Sequence, residues 1–266
     1  MNNVNFQFLQ TFREIIGPRY GSEDLCVLLY SMVKREKPLV VVEFGTGYGV
    51  STAWIAAAMK ENGFGTIHTF DTGVHFDIAP EKFRDVLASG PLSEFVGFTD
   101  YRSFVDSVLD ASGARAHVVT HGDDMDMSDF AWLDAALLGE AKVVPSIDIL
   151  FSDFNHSAET VARIIANCLP RMSEVSSIYI DSASTSLPPY LLLERIVQYF
   201  QRGQVPRELS NLLVADGERM GLSRIVAESV FTLMHLVERK DRAQNSTAWL
   251  RTQPASLLPA MAAFLH

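Results

Sequence analysis

The segment Leu39-Val-Val-Val-Glu-Phe-Gly-Thr-Gly-Tyr-Gly49 constrains the fold more than any other stretch of the chain. Its β-branched start is what a strand buried on both faces requires, and glycines at 45, 47 and 49 let the backbone turn sharply as it leaves that strand. Ser51 to Lys60 then reads as a helix. Strand, glycine turn and helix in succession open a parallel α/β unit, and such sheets bind ligands at the carboxyl ends of their strands.

The same alternation continues along the chain. Thr66 to Asp71 is a second strand with an acidic end, Ala116 to Thr120 a third, Ile147 to Ser152 a fourth and Ser177 to Asp181 a fifth. Helices are expected at Ser128 to Leu138, Ala158 to Cys168 and Pro188 to Gln201. Val230 to Glu238 and Ser246 to Arg251 read as two antiparallel strands, a hairpin over 230–252 that closes the sheet. Two helices precede the first strand: Asn5 to Ile16, and one capped by Ser22-Glu-Asp that runs to about Arg35 before Lys37-Pro38 stops it. The stretch from Thr72 to about Gly113 exceeds an ordinary connection and holds helix-like patterns at Pro80 to Ala88 and Asp100 to Leu109, so a cap is expected over 74–112. Without a repeat or a flexible linker, the reading is one α/β domain over 1–266 with a Rossmann-like sheet and an N-terminal helical extension over 1–37.

Charge narrows the partners. The 266 residues carry 22 Lys+Arg against 32 Asp+Glu, a formal charge of −10, and no basic run stands apart from its acidic neighbours. A phosphate backbone or an anionic membrane would be repelled over most of such a surface, so neither nucleic acid nor membrane is expected as partner. Cys26 and Cys168 both sit in apolar helical patterns, which excludes a disulfide framework and fits a reducing, cytoplasmic setting. The N-terminus lacks the pattern of a signal peptide, and no uncharged apolar run approaches the roughly 18 residues of a membrane span. A homo-oligomer stays open.

The glycine turn carries chemical information as well. A dinucleotide fingerprint would place its third glycine at position 50, which is Val50. Glu43 points the same way: a carboxylate at the end of a buried strand is costly without donors or a cation, and it would repel a pyrophosphate. A ligand bearing positive charge is therefore expected, and a nicotinamide enzyme is disfavoured. From Val40 to Asp181 the sequence resembles the class I S-adenosylmethionine-dependent methyltransferases, whose first motif is E/D-x-G-x-G-x-G. The resemblance implies a seven-stranded sheet with a final antiparallel hairpin and S-adenosylmethionine as cofactor. It implies cofactor contacts from Glu43, Gly45, Thr46, Gly47 and Gly49, ribose hydroxyls held by Asp71, and the adenine edge met by Gly122 and Asp123 with Met125 over the ring. The plainer readings are a structural glycine turn, a loop-solvated or helix-capping Asp71, and an acidic loop at Asp123.

Ser152-Asp-Phe-Asn-His-Ser157 is the second informative segment. It resembles the D-G-D-H-S-Y sequence of small-molecule methyltransferases related to the macrocin and catechol O-methyltransferases, with Phe154 in place of the glycine and Asn155 in place of the second acid. Imidazole titrates near neutral pH, so His156 is a candidate base for a hydroxyl acceptor, the alternative being a cap on the helix that starts near Ala158. In the catechol-type enzymes an acid after the fourth strand and an Asp-Asn pair after the fifth hold magnesium. Here the pair is Asp181-Ser182, so Asp153 and Asp181 are the metal candidates, without the amide oxygen. In a metal-free site Asp153 would contact the acceptor or the cofactor's amino group.

The expected activity is methyl transfer to a small molecule, first of all to oxygen. Two other readings remain: another sulfonium chemistry such as cyclisation or alkyl transfer, and a catalytically silent cofactor-binding scaffold. In the cap, Phe76, Phe83, Phe95 and Phe98 either line an acceptor pocket or pack the cap to the body.

Overall fold

The computed structural model describes residues 3–20, 24–78, 87–88, 90–122, 124–139, 143–213, 215–237 and 246–257. Among the described residues there are seven strands: β1 Val40–Phe44, β2 Thr66–Phe70, β3 Val118–His121, β4 Ile147–Ser152, β5 Met172–Asp181, β6 Ser229–Val237 and β7 Ser246–Pro254. They form one sheet in the order β3-β2-β1-β4-β5-β7-β6. The β1–β2, β2–β3 and β4–β5 pairs are parallel, whereas β7 runs antiparallel to both β5 and β6. The sequence pattern explains the difference. Every residue of β1 is buried, as a strand covered on both faces requires, while β7 alternates buried and half-buried positions over much of its length. By packing, the chain divides into two compact units, residues 1–125 with 238–245 and residues 126–237 with 246–266.

The first unit holds α1 Phe6–Tyr20, α2 Leu25–Glu36, α3 Val50–Asn62, a short α4 Val74–Ile78 and, after the connection that follows it, α5 Tyr101–Ser112. In α3, Ala53, Ile55, Ala56, Ala57, Ala58 and Met59 are all fully enclosed, since small side chains let other elements approach closely. Aromatic rings fasten α1 to the 93–104 segment. Phe8 and Phe12 stack at 5.4 Å, Phe12 and Phe95 lie 6.4 Å apart, and Phe95 meets Phe104 edge-on at 6.2 Å. Phe95 is thus core rather than pocket lining, and Phe76 and Phe98 join the cluster through Phe104. Phe83, and with it most of the helix expected from Pro80 to Ala88, lies outside the described residues.

The second unit holds α6 Ala131–Leu138, α7 Ala158–Cys168, α8 Leu187–Phe200, α9 Arg207–Ser210 and α10 Asp216–Glu228. Ser157 caps α7, its hydroxyl oxygen accepting the Thr160 N–H at 3.1 Å. Arg171 grips Asp134 of α6 through two bonds of 2.7 Å and the Asn167 carbonyl at 2.6 Å.

Several boundaries differ from those read in the sequence. β3 begins at Val118 because residues 115–117 form a 3₁₀ turn. α6 begins at Ala131 rather than Ser128: the Asp126 carboxylate takes the Ser128 N–H and O–H, and Asp129 takes the Ala131 N–H, so the preceding residues are spent in turns. β5 begins at Met172, five residues early, and α9 and α10 were not expected. Among the described residues, no helix is long and apolar enough to cross a membrane.

Candidate active site

The turn after β1 is held at both ends by backbone bonds, Gly45 N–H to the Phe70 carbonyl at 2.9 Å and Gly49 N–H to the Thr46 carbonyl at 2.8 Å. Gly47 and Gly49 adopt φ of 52° and 79°, left-handed conformations that disfavour a side chain. Glu43 behaves differently from expectation. Its carboxylate is completely buried and accepts the hydroxyls of Ser51 and Thr52 at 2.5 Å and of Thr69 at 2.6 Å. Its side chain therefore ties β1 to the first turn of α3 and to β2, instead of standing open to a charged ligand. Burial pushes its pKa up to about 7, against the opposing pull of the three hydroxyls.

Asp71, just beyond β2, lies where an acid for ribose hydroxyls was expected. Its Oδ2 accepts the Gly47 N–H at 2.9 Å and its Oδ1 the Gly73 N–H at 2.8 Å. These bonds leave lone pairs on both oxygens for further donors. Asp71 borders a cavity of about 320 Å³, whose lining includes Thr46, Tyr101, Arg102, His121 and Gly122. Of the expected cofactor contacts, Thr46, Asp71 and Gly122 line this one space and Gly47 is tied to it through its bond to Asp71; Glu43, Gly45 and Gly49 are not part of the lining, and Asp123 lies outside the described residues. The His121 ring stacks on Phe70 at 4.3 Å, and its Nε2 lies 3.2 Å from Nδ1 of His68, whose pKa burial lowers to about 4. Tyr101 and Arg102 escaped the sequence reading. The helix-like pattern from Asp100 to Leu109 announced the helix, but nothing local could bring that helix to the cavity that Asp71 lines.

In the second unit Asp153, His156 and Asp181 come together, one ligand atom from each lying within 4.8 Å of the others. His156 Nδ1 is 3.1 Å from the Asp181 carbonyl oxygen, and its Nε2 is 3.9 Å from Asp153 Oδ1. A carbonyl only accepts, so Nδ1 carries the proton and a neutral ring keeps its lone pair on Nε2. The cap of α7 is Ser157, which takes the helix-capping role away from His156. Asp181 is buried, and its Oδ2 accepts the hydroxyl of Ser182 at 2.8 Å. Ser182 holds a left-handed φ of 58°, uncommon outside glycine.

A sheet of this strand order with an antiparallel β7, a glycine turn after β1 and an acid after β2 defines a class I S-adenosylmethionine-dependent methyltransferase. Residues 42–183, more than half of the chain, match the family model described as a methyltransferase domain, and the chain belongs to that family. No curated protein matches the sequence. Among solved structures the chain is similar to the O-methyltransferase TomG from Streptomyces achromogenes, involved in tomaymycin synthesis and solved with SAM. Identity is 16%, with 93% of this chain and 88% of that one covered and a TM-score of 0.50. It is also similar to an O-methyltransferase from Bacillus cereus solved with SAH, at 14% identity, 93% and 91% coverage and a TM-score of 0.50. At these identities the likeness is one of fold.

Proposed function

We propose that the protein transfers the methyl group of S-adenosylmethionine to an oxygen of a small-molecule acceptor in the cytoplasm, with His156 as the base. The observation that carries the cofactor reading is the cavity beside the glycine turn, with Asp71 on its wall anchored by two amide N–H groups. An acid fixed in this way can receive two vicinal hydroxyls through charge-assisted hydrogen bonds. Titration with S-adenosylhomocysteine by calorimetry tests this reading. Saturable binding is expected, weakened at least about tenfold by Asp71→Ala, which corresponds to about 1.4 kcal/mol. No heat at millimolar ligand with folded protein would remove it.

Bound beside Asp71, the cofactor would supply the methyl group and leave as S-adenosylhomocysteine, and Nε2 of His156 would take the proton that the acceptor hydroxyl gives up. The Nδ1–H bond to the Asp181 carbonyl supports this role, because it fixes the tautomer with its free lone pair on Nε2. His156→Ala should lower kcat by about 10²- to 10⁴-fold while S-adenosylhomocysteine binding stays unchanged. Equal loss of binding and turnover would speak for a structural histidine instead. Mass spectrometry should find S-adenosylhomocysteine as the co-product, and methylthioadenosine in its place would mean alkyl transfer or cyclisation.

The two carboxylates of Asp153 and Asp181 beside an imidazole also fit a divalent cation such as magnesium. Ser182, at the position of the family's amide, spends its hydroxyl on Asp181, so the set has fewer oxygen donors than the catechol-type pattern. Bound there, a cation would lower the pKa of an acceptor hydroxyl. Calorimetry with magnesium alone tests it, and absence of binding at millimolar concentration would leave the base unaided. With a net charge of −10, a neutral or cationic acceptor is favoured over nucleic acid.

A further inference from the structure

Tyr101 is the first residue of α5, held at the helix start by Asp100, whose carboxylate accepts the N–H groups of Arg102 and Ser103 at 3.1 Å each. Its ring packs against Gly73, so that a Cβ at position 73 would come within 2.4 Å of it. Its hydroxyl is buried without a hydrogen-bond partner, and Tyr101 lines the same cavity as Thr46 and Asp71, both of which act on the phenol electrostatically or through hydrogen bonding. Such a hydroxyl costs about 1–3 kcal/mol if left unpaired, so its surroundings call for an explanation.

The neighbouring bonds supply a direction. Thr69 donates to the Glu43 carboxylate at 2.6 Å, which leaves only its oxygen lone pairs for the 2.6 Å contact with Thr46. Thr46 must then donate to Thr69, and its own oxygen is left to accept. Asp71 already holds one amide N–H on each oxygen. The phenol of Tyr101 therefore has one proton to give and two acceptors on the wall of the same cavity, the Thr46 hydroxyl and the Asp71 carboxylate. Burial, with Asp71 and Glu43 nearby, drives its pKa up, so the proton stays in place at any working pH.

We propose that Tyr101 is a positioning residue for the cofactor, acting through Asp71: its phenol, unpaired in the free protein, donates to the carboxylate when the ribose enters the cavity and holds that group in the orientation that receives the ribose hydroxyls. This rests on the S-adenosylmethionine reading above. The complex thereby pairs a donor that the free protein leaves buried and unsatisfied.

The test is a double-mutant cycle read by calorimetry with S-adenosylhomocysteine, using wild type, Tyr101→Phe, Asp71→Ala and the pair. Tyr101→Phe keeps the ring on Gly73 and removes one oxygen. It should not lower the melting temperature, because the oxygen removed has no partner in the free protein, and it should weaken binding about tenfold, equivalent to about 1.4 kcal/mol. In the Asp71→Ala background the same change should have no further effect, and for the 2′,3′-dideoxy analogue the tenfold loss should vanish. Wild-type affinity in Tyr101→Phe, or an undiminished loss in the Asp71→Ala background, would overturn the proposal. A wild-type protein that binds no S-adenosylhomocysteine would instead be the failure of the cofactor reading, and this inference would fall with it.

Discussion

Glu43 shows how one side chain carries several constraints. Its burial was legible, since a glutamate inside Val-Val-Val-Glu-Phe has no exposed face to occupy, but the partners were not. Ser51 and Thr52 lie a turn away in sequence, whereas Thr69 reaches it only because β1 and β2 pair with Glu43 opposite Thr69. The raised pKa makes this acid a pH-dependent element of stability. Its folded value of about 7 stands above the ordinary 4.5, so its stabilising contribution is fully present below about 4.5 and is lost as pH rises through 7. The loss is on the order of 3 kcal/mol, from a shift of about 2.5 units at 1.36 kcal/mol each. Glu43→Gln keeps the shape and removes the charge, so its urea midpoint should change less than that of wild type between pH 5 and pH 8. Parallel pH profiles for the two proteins would show that Glu43 is not the group responsible.

At the scale of elements, legibility followed burial. β1, β4, α7 and α8 emerged close to their observed bounds because their apolar periods are unbroken, whether on both faces of a strand or on one face of a helix. α10 did not, because Asp216-Gly-Glu-Arg-Met-Gly-Leu-Ser-Arg-Ile-Val-Ala-Glu228 contains two glycines and buries only Leu222 and Val226. The early residues of β5 were missed for a related reason: Met172 to Val175 are half-buried or exposed and carry no apolar pattern, and Met172 is joined to the strand by its pairing with Ile147. Pairing of distant elements also explains a testable stability element. Arg171 holds Asp134 bidentately from 37 residues away, while also bonding the Asn167 carbonyl. Asp134→Ala should cost about 1–3 kcal/mol by chemical denaturation, more than the 0–1 kcal/mol of an ordinary exposed ion pair. A cost below about 0.5 kcal/mol would mean that the pair is no stronger than a surface one.

For the molecule as a whole, a cofactor that binds only the native state raises its stability by mass action, about 2.7 kcal/mol at a hundred times the dissociation constant. In a chain of this size that should raise the melting temperature by roughly 5–10 °C with S-adenosylhomocysteine, and an Asp71→Ala protein should shift far less at the same concentration. An identical shift in both proteins would place the ligand away from Asp71. The acidic composition, the run of strands with polar ends and the glycine turn were all determined by the sequence, since each rests on residue chemistry and on periods of two or 3.6 along the chain. Which groups meet was decided by the tertiary structure. It enclosed Glu43 among hydroxyls, brought Tyr101 to the cavity that Asp71 lines from 30 positions on and gave His156 the Asp181 carbonyl from 25 residues away. The physical reason is that hydrogen bonds act over about 3 Å, a distance that local sequence fixes only within a turn or two, and beyond that only the folded backbone can bring two side chains together.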